Sequence, residues 1–312
     1  MKILVTGGAG FIGSHVVDAY IVAGHSVAVI DNLKTGFERN VNPKARFYKV
    51  DITDAVAVNE VFKKEQPDVV NHHAAIAEVV KSITEPLPTY TVNVLGTINV
   101  LMAFGQYGAK TGARFIFSST GGAIYGNAKE LPATEQTPAA PLTAYGMSKL
   151  LGEEVITFYA HQFAFTPIIF RYPNVYGPRQ NPKGEAGVVA IFVGAMLRGE
   201  TPTIFGDGKK TRDYVYVADI TKANVTALTL GDHEIINIGS GQETSDDQIF
   251  EATAAAAGFK GAVTYAPHRE GEVLRISIAA PKAKKLFGWQ PTMVLKDGVL
   301  EVASQIRKTG NN

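Results

Sequence analysis

Tyr145 and Lys149 stand four residues apart in the segment Tyr145-Gly146-Met147-Ser148-Lys149. On a helix that spacing puts both side chains on one face, where an ammonium can sit close to a phenol and favour its ionised form. A tyrosine tuned this way is a usable base near neutral pH, suited to taking the proton from a hydroxyl that is being oxidised. Thr120, at the end of Ser118-Ser119-Thr120, offers a second hydroxyl for the same substrate oxygen. Such pairs and clusters also arise by chance, so their meaning depends on the rest of the chain.

The rest of the chain supplies a nucleotide site. Gly8-Ala9-Gly10-Phe11-Ile12-Gly13 follows an apolar strand, Ile3 to Thr6, and opens a helix, with Gly7 as a further flexible point. Glycines here permit a tight turn and a close approach of backbone to a pyrophosphate, whose charge meets free N–H groups at the helix start. Asp31 ends the second strand about 20 residues on, where a carboxylate accepts hydrogen bonds from ribose hydroxyls; its alternative role is a turn cap. A carboxylate there repels a 2′-phosphate, and Asn32 and Leu33 supply no arginine to receive one. NAD is therefore expected over NADP, with Lys34 the one nearby cation that speaks against it. Asp51 and Ile52 follow the third strand and either meet the adenine or, in the case of Asp51, cap the next helix.

These residues need elements to hold them. Short apolar strands at Ile3 to Thr6, Ser26 to Ile30, Arg46 to Val50, Val69 to His72, Phe115 to Ser118 and Pro167 to Phe170 alternate with helical stretches near 12–23, 54–65, 89–107 and 143–163. Thr53 before Asp54 and Gly24 after Ala23 mark helix ends. The alternation predicts an α/β fold, a Rossmann-type doubly wound parallel sheet that binds ligands at the carboxyl ends of its strands. That cofactor domain is expected over residues 1–171. A smaller C-terminal α/β substrate domain is expected over 172–312, with 215–238 returning to the first sheet through Ile235 to Ile238. Within it the pattern predicts a helix near 188–198, a hairpin-like stretch through Gly206-Asp207-Gly208 and a last helix from Leu295 to Ile306.

The 312 residues are 46% hydrophobic and 19% charged, enough to bury a sizeable core. A net charge of +1 gives no field for nucleic acid or anionic lipid, so an anionic ligand must be held by a few local cations. The absence of cysteine excludes disulfides and thiolate chemistry. The adjacent His72 and His73 point to opposite faces of a strand and do not suggest a metal site. No signal peptide and no run of roughly eighteen apolar residues is visible, so a soluble, cytoplasmic protein is expected.

Gly7 to Gly13, Asp31-Asn32-Leu33, Ser118-Ser119-Thr120, Tyr145 to Lys149 and Arg171-Tyr172-Pro173-Asn174-Val175-Tyr176-Gly177-Pro178-Arg179 together resemble the extended short-chain dehydrogenases/reductases. Within that superfamily the chain is most similar to the UDP-glucose 4-epimerases, over essentially its whole length. The resemblance implies a tightly held NAD+ contacted by Gly7, Gly10, Phe11, Ile12, Gly13, Asp31, Asn32, Asp51, Ile52, Ala74, Ala75, Asn93, Ser118, Tyr145, Lys149 and Tyr172. It implies Tyr145, Lys149 and Thr120 as the catalytic set. For the UDP-sugar it implies contacts from Thr120, Tyr145, Asn174, Val188, Val189, Phe205, Arg212 and Arg269, with the two arginines gripping the diphosphate. It also implies a homodimer through a four-helix bundle built from the 89–107 and 143–163 helices. His73, where an apolar residue is usual, and Ala279, where aspartate is common, depart from the family pattern. Gly121-Gly122 after Thr120 lack the Asp-Glu pair of 4,6-dehydratases. A UDP-N-acetylglucosamine 4-epimerase, a decarboxylase, a dehydratase and a non-catalytic NAD-binding sensor remain as alternatives.

Overall fold

A computed structural model describes residues 1–183, 187–269 and 271–309. Seven strands form one sheet: β1 (Lys2–Thr6), β2 (Ser26–Asp31), β3 (Arg46–Lys49), β4 (Val69–His72), β5 (Arg114–Thr120), β6 (Thr166–Tyr172) and, after four short strands described below, β11 (Glu234–Asn237). Their order is β11-β6-β5-β4-β1-β2-β3, with every neighbouring pair parallel. The order reverses between β1 and β4, which opens the crevice where such sheets take their ligands. This is the doubly wound parallel architecture that the strand pattern predicts, and β11 pairs with β6 over Glu234 to Asn237.

Alternation along each strand loads both faces. Ile3 and Val5 face a cluster with Val17, Tyr20, Ile168, Phe170 and Ile220, beneath the helices Phe11–Val22 and Val217–Thr226. Leu4 faces the other side, with Val70, Phe104, Phe115, Phe117 and Ile156, beneath Ala55–Glu65, Pro86–Tyr107 and Ala144–Phe163. Among the described residues Pro86–Tyr107 is the one helix long and apolar enough to cross a membrane, yet it serves here as a layer of the fold, with Val100, Leu101 and Phe104 fully buried. Its six residues Thr91–Gly96 are wound as a π-helix, a local widening that often marks a functional position. The second helix begins at Ala55 and is capped by Asp54, whose carboxylate accepts from Ala57 N–H, rather than by Thr53.

The smaller layer is built from short pairs. β7 (Asn174–Tyr176) pairs with β10 (Tyr214–Tyr216), β8 (Thr203–Phe205) with β13 (Thr264–Ala266), and β9 (Thr211–Arg212) with β12 (Thr244–Ser245). The stretch through Gly206-Asp207-Gly208 therefore does not close a hairpin: the strands on its two sides find partners about 30 and 60 residues downstream. Val189, Phe192, Val193, Ile204, Val299 and Val302 form this layer's core under the helices Val188–Leu197, Asp246–Ala257 and Leu295–Thr309. The Asp246–Ala257 helix carries a reciprocal cap between Ser245 and Gln248, a signal present in the sequence that the strand-and-loop reading passes over.

Candidate active site

The turn after β1 is as compact as its glycines allow. A methyl group on Gly13 would stand 2.2 Å from the Gly7 carbonyl oxygen, and one on Gly7 would stand 2.7 Å from the Ala74 nitrogen. Gly7 itself has φ +70°, a conformation few other residues tolerate. The Phe11–Val22 helix has Gly10 at its N-cap, no side chain bonded there and no acidic residue in its first turn. Its leading N–H groups are thus left for an anion. Asp31, 8% exposed, accepts from Ala9 N–H at 3.0 Å and Leu33 N–H at 2.8 Å, so it shapes the loop while keeping lone pairs for a hydroxyl donor. Asn32 donates to Asp51 at 2.8 Å, and Asp51 also accepts from Thr53, which settles it as a loop organiser rather than the cap of the following helix. Ile52 is buried against Gly96. This cradle fits a dinucleotide pyrophosphate.

The loop after β4 closes one side. Ala74 N–H donates to the Thr6 hydroxyl at 3.2 Å, and Ala75 follows it in the same coil. Asn93, on the π-helical turn, accepts from Ile76 N–H at 2.7 Å and donates to the Ile76 carbonyl and the Ser148 hydroxyl, both at 2.9 Å. It therefore clamps this loop to the helix that carries Tyr145. His72 and His73 lie on opposite faces: His72 bonds Thr6 and Thr97, while His73 stacks on Tyr172 with ring centroids 6.4 Å apart. The Tyr172 hydroxyl accepts from Asn224 at 2.8 Å, so its side chain is committed to the core.

Thr143 caps the Ala144–Phe163 helix through Gly146 N–H, which fixes Tyr145 in the first turn. Tyr145 faces Thr120 at the end of β5, the one group that acts against burial on its phenol. Lys149, 4% exposed, donates to the Ser118 carbonyl at 2.8 Å and lies 4.9 Å from the Phe117 ring centroid. The spacing argument expects Lys149 to lower the Tyr145 phenol. The structure differs: burial lifts Tyr145 to about 12, and only Thr120 opposes this. Burial also brings Lys149 down to about 7, opposed by Glu153. Desolvation outweighs the pairing that the sequence suggests, because both groups are withdrawn from water.

A second group of residues faces this centre. A methyl on Gly122 would meet Asn174 Oδ1 at 3.4 Å and Thr120 Oγ1 at 3.8 Å, which places Asn174 beside the catalytic hydroxyl. Gly122, Pro173, Asn174, Asp213, Ile276 and Ile278 line one small cavity. Next to Asp213, Arg212 bonds only the Thr211 carbonyl, and among the described residues no carboxylate forms an ion pair with it. Burial pushes its guanidinium below the ordinary value, with Tyr214, Asp246 and Glu272 opposing. A half-buried guanidinium with no ion-pair contact among the described residues suits a diphosphate. Val188 and Val189 open a helix whose cap, Gly187, bonds no side chain; Val189 itself is core. Phe205 is covered by Arg269, whose guanidinium carbon lies 3.6 Å from the ring centroid, so these two side chains meet each other.

Sequence reasoning passes over three buried residues here. Asp213 accepts from Ser240 and Gly241 N–H and from Ile278 N–H, clamping the loops behind Arg212. Glu153 and Arg171 form a bidentate ion pair at 2.9 and 2.6 Å behind Lys149. Glu153 follows Lys149 by four residues, so the helical spacing itself could have revealed it.

A family model described as the NAD dependent epimerase/dehydratase family matches residues 3–239. A UDP-glucose 4-epimerase of Mycolicibacterium smegmatis is 37% identical over 313 residues, covering 98% of this chain and 99% of the relative. Among solved structures, the UDP-glucose 4-epimerase of Thermotoga maritima with UDP-glucose superimposes with a TM-score of 0.96 at 44% identity, covering 99% of both chains. That of Thermus thermophilus complexed with NAD gives 0.93 at 39% identity, covering 98% of this chain and 99% of the other. Glycine cradle, tyrosine centre and full-length likeness agree, and the chain belongs to the NAD dependent epimerase/dehydratase family of the extended short-chain dehydrogenases/reductases, among the UDP-glucose 4-epimerases.

Proposed function

We propose that this protein interconverts UDP-glucose and UDP-galactose with NAD as its resident cofactor. The observation that carries the reading is the Tyr145–Thr120 pair at the carboxyl end of β5, with Lys149 one turn along the helix and the Arg212 guanidinium, without an ion-pair contact among the described residues, in the facing layer. Bound NAD+, held by the Gly7 to Gly13 turn and Asp31, would supply the acceptor and then the donor of the C4 hydride. Tyr145 removes the O4 proton as the hydride leaves, and Thr120 holds that oxygen in line. Lys149 supports the phenolate from behind. Arg212 and Arg269 grip the diphosphate, while the 4-ketosugar, held by few direct bonds, turns its other face before Tyr145 gives the proton back. No further acid or base follows Thr120, where Gly121 and Gly122 stand, and epimerisation requires none. Purified protein supplied with NAD+ should convert UDP-galactose to UDP-glucose; absence of conversion refutes the reading.

We also propose a homodimer through a four-helix bundle. Leu87, Leu95 and Met102 on one helix, and Met147, Leu151 and Phe158 on the other, recur at helical spacing and are solvent-exposed in the single chain, Leu87 by 75% and Phe158 by 65%. Paired stripes of this kind are what a symmetric bundle buries.

A further inference from the structure

We propose that Glu153, held by Arg171 and Ser119, is a positioning residue that keeps the Lys149 ammonium charged and in place. Glu153 is 2% exposed and Arg171 6%, and their fork-to-fork pair joins the Ala144–Phe163 helix to β6. The Ser119 hydroxyl donates to the same carboxylate oxygen at 2.5 Å. Ser119 lies between Ser118, whose carbonyl receives Lys149, and Thr120, which faces Tyr145. One carboxylate therefore ties the catalytic end of β5 to the helix that carries the tyrosine and the lysine. Arg171 is itself held on its far side, donating to the Tyr125 hydroxyl at 3.0 Å, and Tyr125 donates to Asn237 at 2.7 Å.

Charge balance leads to the same role. Around Lys149 stand Tyr145 and Glu153 from its own helix, His72 and His73 from the end of β4, and Arg171 from β6. Burial and the nearby lysine keep both histidines neutral, His73 at about 3. Glu153 is thus the one anion among them. Without it Lys149 would be desolvated next to an uncompensated Arg171, and both effects disfavour its protonated form.

The proposal rests on Lys149 acting as the cation behind the Tyr145 base, but its test needs neither substrate nor NAD. The Lys149 midpoint is followed by NMR on isotope-labelled lysine, assigned by difference from Lys149→Met. In Glu153→Gln the midpoint should fall by about one pH unit or more. Glu153→Gln combined with Arg171→Met removes both charges and should recover most of that fall. An unchanged midpoint in the folded single variant overturns the proposal, and so does a fall that the double variant does not recover. Should Glu153→Gln fail to fold, Glu153→Asp retains the charge and should keep the midpoint; a fall of about one pH unit there refutes the role. A normal titration result alongside absent epimerase turnover would instead refute the proposed function.

Discussion

Tyr145 gives the sharpest test of how this centre works. The protein's own groups hold its phenol at about 12. At pH 7 that leaves roughly one molecule in 10⁵ as phenolate, a deficit of about 7 kcal/mol at 1.36 kcal/mol for each pH unit. Lys149, at about 7, is then only about half protonated and cannot by itself make up the difference. A positive charge within hydrogen-bonding range lowers an acid by about 1–3 pH units. Two such charges, a fully protonated Lys149 and the nicotinamide of bound NAD+, would bring Tyr145 to about 6–10. NAD+ saturation, which adds one of these charges, should therefore lower the Tyr145 midpoint by about 1–3 pH units. Phenolate absorbance of wild type minus Tyr145→Phe, titrated with and without NAD+, measures this directly. Lys149→Met should leave most of the NAD-induced fall in place, because an amine at about 7 is already neutral where Tyr145 titrates. The reasoning is refuted if Tyr145 titrates near the ordinary value of about 10 without NAD+, or if NAD+ leaves its midpoint where it was.

Gly13→Ala forces a methyl to within 2.2 Å of the Gly7 carbonyl oxygen and should weaken NAD+ binding about 5–100-fold in a calorimetric titration. Gly24→Ala, with open space around its methyl but φ +83°, should cost about 1–2 kcal/mol of stability in denaturant unfolding and leave NAD+ affinity unchanged. Arg212→Ala should weaken UDP binding about 10–100-fold with NAD+ affinity intact, read by competition with UDP-glucose. Phe158→Glu, at the most exposed residue of that helix's apolar stripe, should shift the sedimentation profile from dimer to monomer; an unchanged dimer would place the interface elsewhere.

Glycine spacing, strand alternation and the Tyr145/Lys149 interval were legible in the sequence because each is a local matter, decided within one turn, strand or helix face. They determined the doubly wound sheet, the pyrophosphate cradle and the candidate base. The missed pairings, β8 with β13 and β9 with β12, join segments about 60 and 30 residues apart, and nothing in a two- or three-residue strand announces its partner. Burial is likewise a property of the assembled layers. It lifts Tyr145 rather than letting Lys149 lower it, pushes the Arg212 guanidinium below its ordinary value and sets Glu153 against Arg171 behind the lysine. The sequence by itself named the reacting groups; only the tertiary structure decided their charge, because an ionisable side chain responds to the solvent removed around it by segments far away in the chain.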